Sequence, residues 1–323
     1  WRLISDRWLV SLLGDSPHEG DTVVETPMLY PAGKPGNGLH GNFRSWAIQS
    51  PLVTEGAAAD VFLISKGHEQ RILKLYRLGV HPKEEVFAKL KQLCNDGLQQ
   101  GSQVPLPGEE AGCFVRLFEG GFDTETRRFF EIQEFFPRGT LKLRMAQKPL
   151  SEDEIVSLLE QIHRTLRIMH QNGILHLDLK PANLLIRSED PFTVAITDFG
   201  IASLLGEEFS KKMTDVKGTS LYQSPESLSG IVGFKSDWWS LGMLLLELLS
   251  GKHPFDGMQR QNIHYRLTTS DLTLPDSIPP AWKELLENLL VRNPDRRWSH
   301  SEVGKWLGEK IPSRLFQKTP AQS

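Results

Sequence analysis

Between Ser151 and Gly173, apolar residues recur at Ile155, Leu158, Leu159, Ile162, Leu166 and Met169. Steps of three and four residues place them on one face of an α-helix. Ser151 followed by Glu154 offers a capping box at the start, and Asn172-Gly173 suits the left-handed turn that closes a helix. The run "SDWWSLGMLLLELLSG" is apolar nearly all round, which predicts a buried central helix ending at Gly251. "AWKELLENLLVRN" reads as a further amphipathic helix. Upstream the pattern changes. From Trp46 to Glu134 the segments "DVFLI", "RILKLY", "CFVRLFEGGF" and "RRFFEIQEFF" are short and rich in β-branched and aromatic residues. They predict an antiparallel sheet, interrupted by one helical stretch, "PKEEVFAKLKQL". A strand-rich lobe followed by a larger helical lobe, with a cleft between them, gives an α+β fold.

The first 45 residues differ from both lobes. "WRLISDRWLVSLLG" has an apolar period compatible with one helix ending near Gly14, and "ETPMLYPAGKPGNGLHGN" reads as an extended lead rich in Pro, Gly and Asn. The expected organisation is an extension over 1–45, a small lobe over 46–136, a large lobe over 137–312 and a tail over 313–323. The bulk numbers add bounds. A chain of 323 residues with 39% hydrophobic content can bury a sizeable core. A net charge of −3, with both signs spread along the chain, argues against a nucleic-acid binder driven by bulk charge. Two cysteines, Cys94 and Cys113, make no disulfide framework and read as reduced thiols of a cytoplasmic protein. No apolar run has membrane-spanning length, and the nearest contains Glu247. A chain that starts at Trp1 reads as a fragment or a processed form.

The chemistry is concentrated after the capped helix. In "HLDLKPANLLI", Asp178, Lys180 and Asn183 stand between apolar runs. A carboxylate can accept a hydroxyl proton, an ammonium can neutralise phosphate charge, and an amide oxygen can ligate a hard cation. "TVAITDFG" then brings Asp198, followed by Gly200. Two oxygen ligands from two loops, Asn183 and Asp198, suit Mg²⁺, which keeps waters and takes its other ligands from phosphates. Near the start, "VTEGAAADVFLI" looks like two strand halves around a turn that could sit over a phosphate, but it has Gly56 followed by three alanines. His176 reads as a core residue shaping its loop, and Lys211-Lys212 as part of a solvated charged loop.

In their order these stretches resemble a eukaryotic-type protein kinase over roughly residues 46 to 310, with a texture similar to bacterial members. "HLDLKPANLL" resembles the catalytic loop, Asp198-Phe199-Gly200 the metal-binding motif, "GTSLYQSPE" the end of the activation segment, "SDWWSLG" its anchoring helix, and "NPDRRW" the motif whose Arg297 pairs with Glu226. The resemblance implies a two-lobed fold using ATP and Mg²⁺, with Mn²⁺ as an alternative metal. It makes Asp178 the catalytic base and Lys180 its phosphate-neutralising neighbour. It gives Lys74 the α- and β-phosphates, with Glu85 rather than Glu84 as its helix partner. Thr54, Gly56 and Ala59 fall where three glycines usually stand, ahead of Val61. Alanine keeps the backbone N–H groups, so that loop is stiffer but not blocked. In "IQEFFPRGT", Gln133 becomes the gatekeeper, Glu134 and Phe136 offer backbone groups to adenine, and Thr140 lies near the ribose.

Lys180, two residues after Asp178, resembles the Ser/Thr class, and "KGTSLYQSPE" resembles a platform for a peptide, with Thr219 against Asp178 and Lys180. The implied partner is a protein substrate with a Ser or Thr acceptor, not a nucleic acid. The altered glycine loop leaves a second reading, a pseudokinase scaffold that binds nucleotide without transfer. A third is a kinase acting on a small molecule or lipid. Leu177 stands where the family often has an Arg, which removes the usual partner of a phosphate on the activation loop.

Overall fold

Alternation of side chains across five strands builds the small lobe. The computed structural model describes residues 45–53, 59–82, 84–95, 113–123, 126–198, 203–204 and 221–310. Strands β1 (Ala47–Val53), β2 (Ala59–Lys66), β3 (Glu69–Tyr76), β4 (Leu117–Phe122) and β5 (Phe129–Glu134) form one antiparallel sheet in the order β1-β2-β3-β5-β4. Phe62, Ile64, Leu73, Leu75, Phe130 and Ile132 share one face and form their own apolar cluster. The alternate positions, Val61, Ile72 and Tyr76, join the main core on the other face. Helix α1 (Glu84–Asn95) lies on that inner face through Val86, Phe87, Leu90 and Cys94. Phe87 meets Phe129 edge to face at 5.2 Å. It also sits so close to Gly120 that a Cβ there would stand 2.2 Å from its ring.

The expected strand "CFVRLFEGGF" is shorter than its apolar run suggests, because only Leu117–Phe122 pairs in the sheet. Residues 113–115 run instead beside the end of β8 (Phe192–Ile196), while Arg116 O still accepts from Glu134 N–H on β5. Val115 N–H donates to Ile196 O, and Ile196 N–H donates to Cys113 O. This contact ties the small lobe to the strand that leads into Asp198.

The helical lobe follows its sequence pattern closely. Helix α2 (Leu141–Gln147) was not expected. Helix α3 (Glu152–Gln171) opens with the full capping box of Ser151 and Glu154. It buries Ile155, Leu158, Leu159, Ile162, Leu166 and Met169. Gly173 closes it at φ +72, the left-handed conformation that costs glycine nothing. Strands β6 (Ile174–Leu175) and β9 (Ser203–Leu204) pair with each other, as do β7 (Leu184–Glu189) and β8. Helix α4 (Phe234–Ser250) is buried along almost its whole length, with Trp238, Trp239, Leu241, Met243 and Leu244 at its centre. It ends at Gly251, again with positive φ. Helix α6 (Pro280–Leu289) packs on it through Trp282, Leu285, Leu286 and Leu289. Two further helices went unannounced: α5 (Arg260–Thr269), which buries only Ile263 and Leu267, and α7 (His300–Lys310). None of the described helices is long and apolar enough to cross a membrane. The extension over 1–44 and the stretch 311–323 lie outside the described residues.

One ion pair closes the lower lobe. Arg297 is buried and grips Glu226 with both ends of its guanidinium, at 2.7 and 2.9 Å. Its remaining N–H groups donate to Val291, Lys235 and Arg292 carbonyls, and it lies 5.0 Å from the Trp239 ring centre. The expected pairing of Arg297 with Glu226 is therefore present. Burial alone pushes the Glu226 carboxyl pKa up, but the hydrogen bonds and charge of Arg297 bring it below the usual range. Arg297→Ala leaves a half-buried carboxylate without its cation, and urea unfolding at neutral pH is expected to show a loss of about 3–5 kcal/mol. The depressed pKa of Glu226 gives stability that is present above the ordinary carboxylate value and lost as pH falls through the folded value. The gap between wild type and variant should therefore shrink in acid. A gap that is constant with pH would show that packing, not charge, is what Arg297 contributes.

Candidate active site

Asp178 hangs from the loop between β6 and β7, and the sequence forces that loop into an uncommon shape. Leu177 has φ +65, the left-handed region that a Cβ disfavours by roughly 1–2 kcal/mol. The loop is held there by Asp237, fully buried in the first turn of α4. Its carboxylate accepts from His176 N–H at 3.0 Å, Leu177 N–H at 2.8 Å and the ring of His170 at 2.8 Å. Burial pushes the pKa of Asp237 up, yet the His170 hydrogen bond and charge, with help from His176, bring it below the ordinary value. The group is thus an anion in the core, placed where the helix N-terminus also favours negative charge.

His176 carries the arrangement onward. Its Nδ1 accepts from Asp178 N–H at 3.2 Å, so the proton sits on Nε2, which faces Thr197 O at 3.2 Å. His176 is fully buried, as expected of a core residue shaping the loop. Thr197 N–H in turn donates to Asn183 O at 3.0 Å. The two loops that deliver Asp178 and Asp198 are thereby fixed to each other.

The polar groups expected from the sequence come together here. Lys180 Nζ lies 3.0 Å from Asp178 Oδ2. Asn183 Nδ2 donates to Asp178 O at 2.8 Å and to Oδ2 at 2.9 Å. This spends the nitrogen of the Asn183 amide and leaves its oxygen as the end suited to a cation. Lys74, on β3, reaches across the cleft to Asp198 Oδ1 at 3.5 Å. The two carboxyls are tuned apart. Burial raises the pKa of Asp178, with Lys180 acting against it. Lys74 holds Asp198 below the usual range. Asp198 also has a left-handed backbone, φ +68. A carboxyl of raised proton affinity beside one that stays charged is a division suited to a proton acceptor and a cation ligand.

Other expected positions fare differently. Ala59 and Val61 lie on β2, where Val61 is the cross-strand partner of Lys74. Glu134 and Phe136 join the lobes. The Glu134 carboxylate is held by Arg187 at 2.6 and 3.1 Å, and the same guanidinium lies 4.9 Å from the Phe136 ring centre. Thr140 is fully buried, and its hydroxyl accepts from Leu143 N–H as the cap of α2. Gln133 is buried, with Nε2 donating to Glu131 at 2.7 Å and Oε1 accepting from Thr197 Oγ1 at 3.3 Å. Thr54, Gly56, Phe199, Gly200, Lys211, Lys212 and Thr219, and the side chains of Glu84 and Glu85, lie outside the described residues. Sequence reading gave no role to Asp237, His170 or Glu131. For Asp237 and Glu131 the signal was available: each is a polar group inside an apolar segment, at a position whose spacing buries it.

The sequence profile of the protein kinase domain matches residues 115–306, which include Asp178, Lys180, Asn183, Asp198 and Asp237. Among curated proteins, the chain is similar to CBL-interacting serine/threonine-protein kinase 5 of Arabidopsis thaliana, 33% identical over 200 residues, covering 60% of this chain and 44% of that protein. It is similar to serine/threonine-protein kinase PLK4 of Xenopus tropicalis, 37% identical over 162 residues, covering 50% of this chain and 17% of the relative. It also resembles human ribosomal protein S6 kinase alpha-3, 29% identical over 248 residues, covering 76% of this chain and 32% of the relative. The chain thus spans less than half the length of each of these relatives.

Asp237→Asn tests the support of the loop. An amide keeps the shape but offers one acceptor oxygen to three donors. Each buried donor left unsatisfied costs about 1–3 kcal/mol. The expected result is a lowered urea midpoint together with faster hydrogen exchange at the His176 and Leu177 amides. Unchanged protection at those two amides would remove Asp237 from the role described.

Proposed function

The chain belongs to the protein kinase domain family, and from that premise we propose that it transfers the γ-phosphate of ATP to Ser or Thr hydroxyls of protein substrates. The observation that carries this reading is the convergence of Lys74, Asp178, Lys180, Asn183 and Asp198 on one cleft. Asp178 accepts the proton of the attacking hydroxyl. Its raised pKa favours this role, and the Asn183 amide fixes the direction of its carboxylate. Lys180, beside the same carboxylate, counters charge on the phosphoryl group in flight. Lys74 binds the inner phosphates of the nucleotide. The backbone at Glu134 and Phe136 receives adenine, and β2 with Ala59 and Val61 covers it.

The donor set fits Mg²⁺, with Mn²⁺ as a substitute. Asp198 provides a half-exposed carboxylate kept ionised by Lys74, and Asn183 an amide oxygen. Among the described residues no cluster of three or more His, Cys, Asp or Glu forms a metal cage. A pair of oxygen ligands of this kind suits a cation that is completed by phosphates and water. When bound, the metal supplies neutralisation of phosphate charge.

Two features support a protein substrate. Lys180 follows Asp178 by two residues, as in the Ser/Thr class, and the three relatives' names describe serine/threonine or ribosomal protein kinases. The described part of the peptide platform, from Leu221, is anchored from below. Ser240 Oγ donates to Tyr222 O at 2.8 Å, Tyr222 Oη donates to Glu247, and Glu226 is held by Arg297. A rigid ledge of this kind favours an extended chain over a small molecule.

Transfer from labelled ATP to a generic basic protein, with mass spectrometry of the products, tests the reading. Asp178→Asn is expected to leave nucleotide binding nearly intact and to slow transfer by about 10²–10⁴-fold, the usual scale for a positioned base. Wild-type rates in that variant would remove Asp178 from the role. Nucleotide binding by a wild-type chain that transfers nothing to any acceptor would favour the scaffold reading. Asp198→Ala should abolish the Mg²⁺-dependent part of the thermal shift produced by ATP. Retention of that metal-dependent shift would place the cation elsewhere.

A further inference from the structure

A second carboxylate faces Lys74 from within the sheet. Lys74 on β3 and Glu131 on β5 are direct cross-strand partners. Directly opposed side chains on one face of an antiparallel pair have Cβ atoms about 4.5–5.5 Å apart. Both residues are buried, at 8% and 5% exposure. The flanking strand positions on this face, Ile72, Tyr76 and Gln133, are buried too. A charge placed there without compensation is strongly unfavourable. An opposed Lys and Glu are therefore a matched pair, not two separate accidents of the sequence.

Glu131 is also immobilised. Tyr76 Oη donates to one of its oxygens at 3.0 Å, and Gln133 Nε2 donates to the other at 2.7 Å. Both oxygens act as acceptors, which is the pattern of an ionised carboxylate. Burial raises its pKa, and the charge of Lys74 is the largest influence against that rise. The chain continues, because Gln133 Oε1 accepts from Thr197 Oγ1 and Thr197 directly precedes Asp198. The carboxylate beside the stem of Lys74 is thus linked by hydrogen bonds to the backbone that carries the carboxylate at its tip.

We propose that Glu131 is a positioning residue for Lys74, a fixed anion on β5 that aims the lysine at the phosphates in addition to whatever helix α1 contributes. The proposal rests on the reading of Lys74 as the phosphate-binding lysine. A lysine has a flexible four-carbon stem, and its contact with Asp198 restrains only the tip. Glu131 attracts it from the side by charge, without a direct ion pair, and its two hydrogen bonds prevent it from following the lysine toward the nucleotide. Lys74 can then reach the phosphates without carrying a mobile counterion along.

The test is Glu131→Gln in the full chain, measured for kcat, for KM of ATP and for nucleotide affinity. The amide keeps the shape and the bond from Tyr76 but removes the charge, together with the acceptor that faces Gln133 Nε2. Misplacement of a group by about 1 Å can cost on the order of 10²-fold. The expected result is a kcat lowered about 10–10²-fold while KM for ATP changes less than about threefold. In a Lys74→Met background, the same substitution should lower the residual rate no further. Tyr76→Phe, which frees one Glu131 oxygen without touching its charge, should shift kcat in the same direction by less. It provides the measurement if Glu131→Gln does not fold. Wild-type kcat in a folded Glu131→Gln, or in Tyr76→Phe where that is the variant measured, overturns the proposal. So does an equal fall in rate with and without Lys74. A wild-type chain that transfers no phosphate would instead overturn the kinase reading, and the two failures are thus distinct.

Discussion

A single buried carboxylate sets the geometry of the cleft. Asp237 sits inside the most apolar of the described helices and would be intolerable there as an isolated charge. Three donors and a helix N-terminus compensate it. In exchange it dictates the backbone of His176 and Leu177, including a conformation that a leucine would not adopt unaided. From this point order spreads outward. His176 fixes the amide of Asp178 on one side and the carbonyl of Thr197 on the other, and Thr197 leads to Asp198. The large core around α4 thus has a second role beyond stability, because it carries the anion from which both working loops hang.

The loop reaches its shape through interactions within the fold. Leu177 can offer no cation to a phosphorylated segment, and the structure shows what holds its backbone instead. Within the cleft, the balance between burial and neighbouring cations separates two chemically identical side chains. Asp178 is pushed toward protonation by burial, while Asp198 is kept ionised by Lys74. The same balance governs Glu131, where burial and Lys74 act in opposite directions.

Much of this was legible before any coordinates, and what was not has definite causes. Period and capping fixed α3 almost to the residue, since Ser151, Glu154 and Gly173 each have a local reason to be where they are. The pairing of Arg297 with Glu226 was readable from motif order. Helices α2, α5 and α7 escaped notice. α5 buries only Ile263 and Leu267, which is too little apolar surface to leave a period. The run Cys113-Phe114-Val115 looks like strand because it is apolar, whereas its backbone bonds with Ile196 lie in the other lobe. Long-range pairing of that kind has no local signature. Thr140 is placed near the ribose by the resemblance, and the structure adds that its hydroxyl caps α2. Asp237 and Glu131 were visible as polar residues in apolar runs, but only the fold shows which donors and cations face them.

The grip of Arg187 on the segment between the lobes has a mechanical consequence. Arg187 belongs to β7, yet it holds the Glu134 carboxylate at two points and lies against Phe136. The last residue of β5 is thus paired with Arg71 in the sheet and clamped to β7 at the same time, so the sheet and the helical side share one joint. Lys74 and Glu131 stand on the sheet side of that joint, and Asp178, Lys180 and Asn183 on the other. The Gln133–Thr197 hydrogen bond is a second rivet across the same seam, one residue from Asp198.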